Sequence, residues 1–326
     1  FKIIFVAILI LIILYTFRGS WRDILNQLAK TSPLIILLIG GASVVYHLFE
    51  GWITCSLSKR YNPRFRYRDG VYCAFFCSFY RLSTLGSGQG VAAVIFLGKK
   101  EVGYSEATGL YMIQYMLHKV SIALFSGIFF VINWKVMSHH YKNYAGYLIL
   151  AYVLTVLIAI GLILLAVYPK SHSLILWLGN KLNFHHKLDG MLKKLENGAR
   201  IMEKSTSELL KDWKTIVIIV LKNLAKLCFW YSIPFLILLG SGEISILTSL
   251  SVTSLSVMTA AVIPTPAGIG STELIMTSLY SLVVDVNKAG AITLLYRIAT
   301  FIFPFVVGGA LILAGRSLKR FLKPSR

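Results

Sequence analysis

The amino-acid sequence predicts an all-α, polytopic membrane protein with about six full spans and two re-entrant hairpins of opposite orientation. Of its 326 residues, 56% are hydrophobic and only 14% are charged. Apolar stretches long enough to cross a hydrocarbon core of about 30 Å recur along the chain. Basic residues collect in a few of the connections between these stretches. We therefore expect one transmembrane domain, 1–326, arranged as an inverted repeat.

The predicted elements are of two kinds, continuous apolar stretches and interrupted ones. The full spans are predicted at 2–17, 33–57, 106–132, 145–168, 215–240 and 289–315. The stretches 71–97 and 246–284 are each broken in the middle by glycine, proline or polar residues, which do not suit a continuous helix. Each broken stretch is predicted to be a hairpin of two half-helices, although two full crossings per stretch also fit the hydropathy.

Basic residues set the orientation, because Lys and Arg are concentrated in cytoplasmic connections. Five lie within 58–70, and five more follow residue 315. These segments and both termini are therefore placed on the cytoplasmic side of the cell membrane. The stretch 71–97 then begins and ends inside, and 246–284 begins and ends outside. The basic connection 169–214 is predicted to carry an amphipathic helix, either at the cytoplasmic interface or against the protein's own underside.

This order of elements divides the chain into two units of opposite orientation, 1–132 and 145–315. Each contains two spans, a broken stretch and a further span. Many transporters form a site near the bilayer midplane from broken segments at corresponding positions of inverted repeats. The residues that define the two hairpin tips are Thr84, Gly86, Gly88 and Gln89 in the first, and Pro264, Pro266, Gly268 and Gly270 in the second.

Charged residues inside the apolar stretches are the candidate ligands, because a charge in the bilayer is costly and usually faces a cavity or another charge. They are Glu50, Arg81, Lys119, Lys222, Lys226, Glu273 and Arg297. The basic members outnumber the acidic ones, which favours an anionic guest, and phosphate suits Arg and Lys best. Arg81, Lys119 and Arg297 are predicted to bind it, with Gln89 beside them.

Several of these charges also have structural explanations. Glu273 either attracts a cationic group of the guest or forms an ion pair with Arg297 that holds the second hairpin. Lys222 and Lys226, one helical turn apart, either extend toward the interface or face the interior. For Glu50, a local hydrogen bond to His47 is sufficient.

The remaining composition argues against other classes of site. The net charge of +20 is assigned to cytoplasmic connections and anionic lipid headgroups rather than to nucleic acid. The cysteines and histidines lack the spacing of a metal site. We expect no metal and no cofactor. The sequence shows no ATP-binding loop, so movement of a solute is expected to be facilitated or coupled to an ion.

One motif carries a resemblance to a known family. The Pro-Thr-Pro-x-Gly-x-Gly-x-x-Glu run at 264–273, followed by Arg297, resembles the transmembrane domain family of lysylphosphatidylglycerol synthase/flippases. The region from Arg81 to Lys119 is similar to the family's first half, with a Gly/Gln-rich tip and a Gly-Lys-Lys turn. It departs from many relatives in having no proline after Thr84. The resemblance extends over essentially the whole chain.

The resemblance implies a lipid flippase that moves an anionic or aminoacylated phospholipid, such as lysyl-phosphatidylglycerol, between leaflets. Bifunctional members of the family add a soluble domain that makes this lipid. The chain ends at Arg326 without such a domain, so we expect no enzymatic activity and a separate lipid-modifying enzyme as a partner. The resemblance also suggests a homodimer.

Three other function classes remain open. A transporter of a small soluble anion would use the same charges but would need a closed aqueous path. A membrane enzyme for a lipid-linked substrate would need paired carboxylates or a metal site. An accessory subunit would leave the interior charges without a role.

Overall fold

The structure is a computed structural model that describes residues 31–167, 212–239, 241–263 and 265–314. Three predicted features lie largely or wholly outside the described residues: the span at 2–17, the amphipathic helix in 169–214 and the basic C-terminal tail. Pro264 of the second tip lies outside them as well. The described part of the chain consists of helices and connecting turns, without a β-strand.

Twelve α-helices occur in the described part of the chain: α1 Pro33–Ser58, α2 Tyr67–Ser83, α3 Gly88–Gly98, α4 Tyr104–Ile132, α5 Trp134–His140, α6 Ala145–Val167, α7 Trp213–Tyr231, α8 Ile233–Ile237, α9 Ile246–Val262, α10 Ser271–Tyr280, α11 Val286–Arg297 and α12 Phe303–Leu313. A short 3-10 turn at Pro266–Gly268 precedes α10. A π-helical turn, Ile298–Ile302, joins α11 to α12.

Four helical segments are long and apolar enough to cross a membrane. They are α1, α4, α7 continued by α8, and α11 continued by α12. A fifth is added if α5 and α6, which are bent by 79° relative to each other, count as one span. The protein is therefore a polytopic helical membrane protein. The described residues support four to five spans, whereas the sequence predicted six. One of the six predicted spans, 2–17, lies outside the described residues.

Both interrupted stretches consist of two helices joined by a break, as predicted. The first is α2 followed by α3, and the second is α9 followed by α10. The longer half has 17 residues in each case, and the shorter halves have 11 and 10. The shorter halves are well below the roughly 17–25 residues of a transmembrane helix, and the longer halves are at the lower limit of that range. The two halves of each stretch pack against each other.

The two predicted units pack against each other in a reciprocal way. The last span of the first unit, α4, packs on α7 and α9 of the second. The last span of the second unit, α12, packs on α1 and α2 of the first. The corresponding spans α1 and α7 also lie side by side.

Glycines allow the helices around α2 to approach at backbone distance. A Cβ atom at Gly51 of α1 would lie 2.5 Å from the backbone nitrogen of Val71. A Cβ atom at Gly308 of α12 would lie 3.0 Å from the Cβ atom of Phe79. Small residues at such contacts are typical of helix packing in membranes. The first broken stretch is thereby held tightly between α1 and α12.

Helix α9 is rich in buried serine and threonine side chains, and a buried hydroxyl group is costly without a hydrogen-bond partner. Ser249 shows how this need is met. Its hydroxyl donates to the Tyr231 carbonyl at 2.8 Å and accepts from the Phe235 amide at 3.1 Å. These two backbone groups would pair with each other in a continuous helix. Ser249 therefore bridges the break between α7 and α8, where Pro234 interrupts the helix.

Candidate functional site

A narrow polar cavity lies between α1, α2, α3, α4 and the π-helical turn that precedes α12. Its volume is about 50 Å³, which is room for a few water molecules. The aromatic side chains of Tyr46, Tyr111, Trp230 and Phe301 form much of its wall. Its polar lining comprises His47, Glu50, Thr54, Ser78, Arg81, Gln89, Gln114 and Thr300.

Arg81 is the basic side chain in this lining. It lies in the last turn of α2, where the partial negative charge of the helix end favours a cation. Its guanidinium carbon is 5.3 Å from the ring centroid of Phe301, and that of Arg297 is 4.4 Å from the same ring. Phe301 therefore contacts both guanidinium groups by cation–π interactions. None of the ion pairs found within the described residues involves Arg81.

The first hairpin tip is a tight turn that places Gln89 in the same cavity as Arg81. The backbone of Gly86 has a φ of 99°, which favours glycine, and its N–H donates to the Arg81 carbonyl at 2.7 Å. The Thr84 hydroxyl accepts from the N–H of Gly88 at 2.6 Å, which links the end of α2 to the start of α3. Gln89 is the second residue of α3 and lines the cavity.

The second tip meets the first. It begins with the 3-10 turn at Pro266 and continues through Ala267, Gly268 and Gly270, with φ values of 55°, 71° and 85°. A Cβ atom at Gly86 would lie 3.2 Å from the backbone nitrogen of Ala267. The two tips are therefore in direct contact, and the cavity lies beside this contact on the side of the first hairpin.

Glu273 and Arg297 form an ion pair, one of the two alternatives that the sequence left open. Nε of Arg297 lies 2.7 Å from Oε1 of Glu273. The other carboxylate oxygen accepts from the N–H of Gly270 at 2.8 Å, and Arg297 also donates to the Gly268 carbonyl at 3.4 Å. The pair thus fixes the second tip to α11. Neither residue is part of the cavity lining.

Lys119 is placed away from the cavity. Its Nζ lies 5.3 Å from the ring centroid of Tyr115, one turn earlier on α4. Tyr115 is itself exposed on the outer surface of the helix. The structure brings Arg81 and Gln89 together, and Arg297 next to them across Phe301, but it does not bring Lys119 to the same place.

A second ion pair, between Glu50 of α1 and Lys226 of α7, was missed by the sequence analysis. Nε2 of Gln114 on α4 donates to Oε1 of Glu50 at 2.7 Å and to the Thr54 hydroxyl at 3.1 Å. Three helices therefore meet at the Glu50 carboxylate, which lines the cavity. The sequence indicates only that Lys226 needs a counter-charge from another segment, because its own span contains no acid.

These contacts resolve the alternatives for two of the remaining charges. Lys226 is only 1% exposed, so it does not extend to the interface. The predicted hydrogen bond between Glu50 and His47 is wrong. His47 instead contacts the Ser43 carbonyl at 2.8 Å and the Ser78 hydroxyl at 2.9 Å, because its ring faces α2.

The charge balance of the cavity favours an anion. The carboxylate of Glu50 is already neutralised by Lys226, and that of Glu273 by Arg297. Arg81 remains as a cation whose hydrogen-bond donors are directed to no acid among the described residues. Within those residues, no three or more His, Cys, Asp or Glu side chains cluster in a way that could hold a metal ion. Arg81 is therefore the cavity-lining cation to which an anionic group could bind without displacing a carboxylate of the described residues.

The comparison with protein families agrees with the motif noted in the sequence. The family model described as the lysylphosphatidylglycerol synthase TM region matches residues 2–308. The match includes both broken stretches, the cavity lining and the ion pairs Glu50–Lys226 and Glu273–Arg297. No curated protein matches the chain. With nearly all of its length covered by the family model, the chain belongs to the lysylphosphatidylglycerol synthase transmembrane region family.

Proposed function

We propose that the protein moves a phospholipid with an anionic or aminoacylated headgroup from one leaflet to the other. One observation carries the proposal. Arg81 presents a half-buried guanidinium to a polar cavity inside the membrane domain, and no described carboxylate neutralises it. A guanidinium in such a place is costly without an anionic partner, and phosphate matches its fork of donors. Membership of a lipid-related family supports a lipid as the source of that phosphate.

The proposed architecture is an inverted repeat in which both broken stretches are re-entrant and enter from opposite faces. The second half-helix of each stretch is too short to cross the bilayer, and the two tips touch at Gly86 and Ala267. The packing of α4 and α12, each on the opposite unit, supports the same arrangement. A site at the contact of two such tips can be opened to either leaflet by small movements of one unit against the other.

The described conformation is proposed to be an occluded one. A cavity of about 50 Å³ holds water molecules but is too small for a lipid headgroup. Separation of the two tips would widen it next to Arg81 and Gln89, which would bind the phosphate. If the ion pair of the second tip also opens, Arg297 becomes a second phosphate ligand and Glu273 becomes free for an amine. Lys119 lies too far outside the cavity to be given a contact.

The proposed setting is the cell membrane, with the connection between α1 and α2 and both termini on the cytoplasmic side. The acyl chains would remain in the bilayer while the headgroup passes between the tips. Transport of this kind needs no covalent step. An aminoacylated lipid would be supplied by a separate lipid-modifying enzyme.

The test is leaflet exchange in liposomes of phosphatidylcholine that contain a trace of fluorescently labelled phosphatidylglycerol. We expect the reconstituted protein to accelerate exchange over empty vesicles. Arg81→Ala should slow exchange about tenfold or more, because a charge-assisted hydrogen bond is worth about 1.5–3 kcal/mol. Lys135→Ala is the matched control, since it removes an exposed basic residue on α5, far from the cavity lining.

Two results would contradict the proposal. One is exchange no faster than in empty vesicles for several anionic and aminoacylated headgroups. The other is uptake of labelled inorganic phosphate into the vesicles without any lipid exchange, which would identify a transporter of a soluble anion.

A further inference from the structure

A second basic and aromatic site lies on the outer side of α1, away from the central cavity. It is a groove lined by Trp52, Cys55, Ser56 and Lys59 of α1 and by Tyr67 at the start of α2. Lys222 of α7 reaches into it. Its Nζ lies 2.8 Å from the Ser56 hydroxyl and 4.1 Å from the ring centroid of Trp52. We refer to this feature as the α1–α7 groove.

The charges around the groove are unbalanced. Lys59 is exposed, Lys222 is half-buried, and neither takes part in an ion pair of the described residues. The nearby carboxylates already have cationic partners, because Asp212 pairs with Arg60, Asp69 with Lys100 and Glu50 with Lys226. The groove therefore offers two cations that no carboxylate of the described residues pairs with.

The shape and aromatic content of the groove indicate what kind of anion fits. Trp52, in the last two turns of α1, is 48% exposed, and Tyr67, at the start of α2, is 46% exposed, with the basic connection 59–66 between the two helices. Exposed Trp and Tyr at a helix end are typical of the headgroup level of a bilayer, and Lys or Arg beside them bind anionic lipids. An amphiphile satisfies both properties, since its phosphate can contact the lysines while its acyl chains cover the aromatic rings.

We propose that the α1–α7 groove binds the phosphate of an anionic phospholipid from the leaflet that borders the basic end of α1. This lipid would be held there before its headgroup enters the central cavity. The inference rests on the proposed function, which it extends by identifying where the lipid is loaded.

The contact between α1 and α7 supplies the path from groove to cavity. Lys222 and Lys226 are one turn apart on α7, about 6 Å along the helix axis. Lys222 bonds Ser56 on the lipid side of α1, and Lys226 pairs with Glu50, which lines the cavity. A phosphate leaving Lys222 therefore next encounters Lys226, whose release from Glu50 would open the way to Arg81.

Binding is tested first, by native mass spectrometry of the purified full chain titrated with dioleoyl-phosphatidylglycerol or dioleoyl-phosphatidylcholine. The titration is done in an Arg81→Ala background, so that the central cavity contributes little. Adding Lys222→Ala should weaken phosphatidylglycerol binding about fivefold, as expected from the loss of one lysine at an anionic headgroup. Lys222→Arg should preserve it, and Lys135→Ala should leave it unchanged.

Transport is tested second, by leaflet exchange at increasing mole fractions of phosphatidylglycerol. For a loading site, Lys222→Ala slows exchange at low mole fractions and approaches the wild-type rate at high ones. Arg81→Ala slows exchange at every mole fraction. If wild-type vesicles show no exchange, the proposed function fails, whereas the binding titration still decides whether the groove holds lipid.

The proposal is overturned if Lys222→Ala and Lys135→Ala bind phosphatidylglycerol equally well. Displacement of the lipid by millimolar inorganic phosphate would also overturn it, by identifying a site for a free anion. Loss of a dimer in Lys222→Ala, with lipid binding unchanged, would identify the groove as a contact with a second copy of the chain.

Discussion

The two ion pairs inside the membrane domain differ in what surrounds them. In the pair between Glu50 and Lys226, the carboxylate also accepts a hydrogen bond from Gln114, so that three helices meet at one group. In the pair between Glu273 and Arg297, the other partners are backbone groups of the second tip itself. The first pair connects distant parts of the fold, and the second stabilises a local turn.

This difference suggests different roles. Glu50 lines the cavity, and its partner Lys226 is 1% exposed, so an anion that enters can compete for Lys226 without unfolding a turn. Glu273 is bonded to its own helix start, and its release would also disturb the backbone at Gly270. We therefore interpret the first pair as a gate next to the cavity and the second as a latch of the hairpin.

The largest effect is expected for Lys226→Met. Removing the lysine leaves the Glu50 carboxylate buried without a counter-charge, which typically costs about 3–5 kcal/mol. The free energy of unfolding, measured in mixed micelles, should fall by that amount. The double variant Glu50→Gln with Lys226→Met should regain most of it, because no charge is left unpaired. A double variant as unstable as the single one would show that the pair is not what holds these helices.

The next largest effect is expected for Arg297→Ala. It removes a charge-assisted hydrogen bond to Glu273 and should cost about 1–3 kcal/mol. Because the pair is local, hydrogen exchange should increase mainly at the amide of Gly270. Glu273→Ala is the matched variant and should show the same exchange pattern. An increase spread evenly over α10, α11 and α12 would contradict the latch interpretation.

Gly86→Ala tests whether contact between the tips matters independently of the latch. Alanine is strained at a φ of 99°, and its Cβ atom would press on the backbone of Ala267. We therefore expect the free energy of unfolding to fall by about 1–2 kcal/mol. Gly242→Ala is the control, because Gly242 also has a positive φ but no atom within 4 Å of the added Cβ. Leaflet exchange should decrease only for Gly86→Ala. Equal rates in the two variants would remove tip contact from the mechanism.

The smallest effect is expected at an exposed ion pair, which serves as a reference for the two interior pairs. Hydrogen bonds from Thr215, with a smaller contribution from Arg60, hold the pKa of Asp212 below its ordinary value of 3.8. The folded pKa is lowered, so its small stabilisation is present above pH 3.8 and is lost as the pH falls through the folded pKa. In Asp212→Asn, the thermal midpoint at neutral pH should change little, and its decrease at acidic pH should be slightly weaker. A loss comparable to that of Lys226→Met would contradict the ranking by burial.

Much of the framework could be predicted from the sequence. The spans expected at 33–57 and 106–132 are helices Pro33–Ser58 and Tyr104–Ile132 in the structure. Hydropathy is informative here because the bilayer requires every backbone group to be bonded within its own segment. Glycine and proline residues interrupt this backbone bonding within a segment, so their positions predicted both breaks. Arg81 and Gln89 were identified because polar groups next to such a break need a wet cavity.

Other features could not be predicted because they depend on which faces of two helices meet. Lys226 and Glu50 are 176 residues apart, and no periodicity in either helix indicates that they pair. Lys119 lies near the middle of its span, as a ligand would, but its side chain runs along the outer surface of α4. Successive residues of a helix are rotated by about 100°, so the interior or lipid orientation of a side chain depends on how the whole helix is rotated about its axis. Hydropathy does not register that rotation reliably in a span that is apolar all round.

The sequence by itself determined the class of protein, the position of most spans in the described residues and the two breaks. These follow from length, composition and backbone chemistry, which act within one segment at a time. Only the tertiary structure decided which charges are already neutralised, that the two tips touch, and that Arg81 is the cation facing the cavity. These depend on contacts between segments far apart in the chain, where helix rotation and backbone approach decide which groups meet.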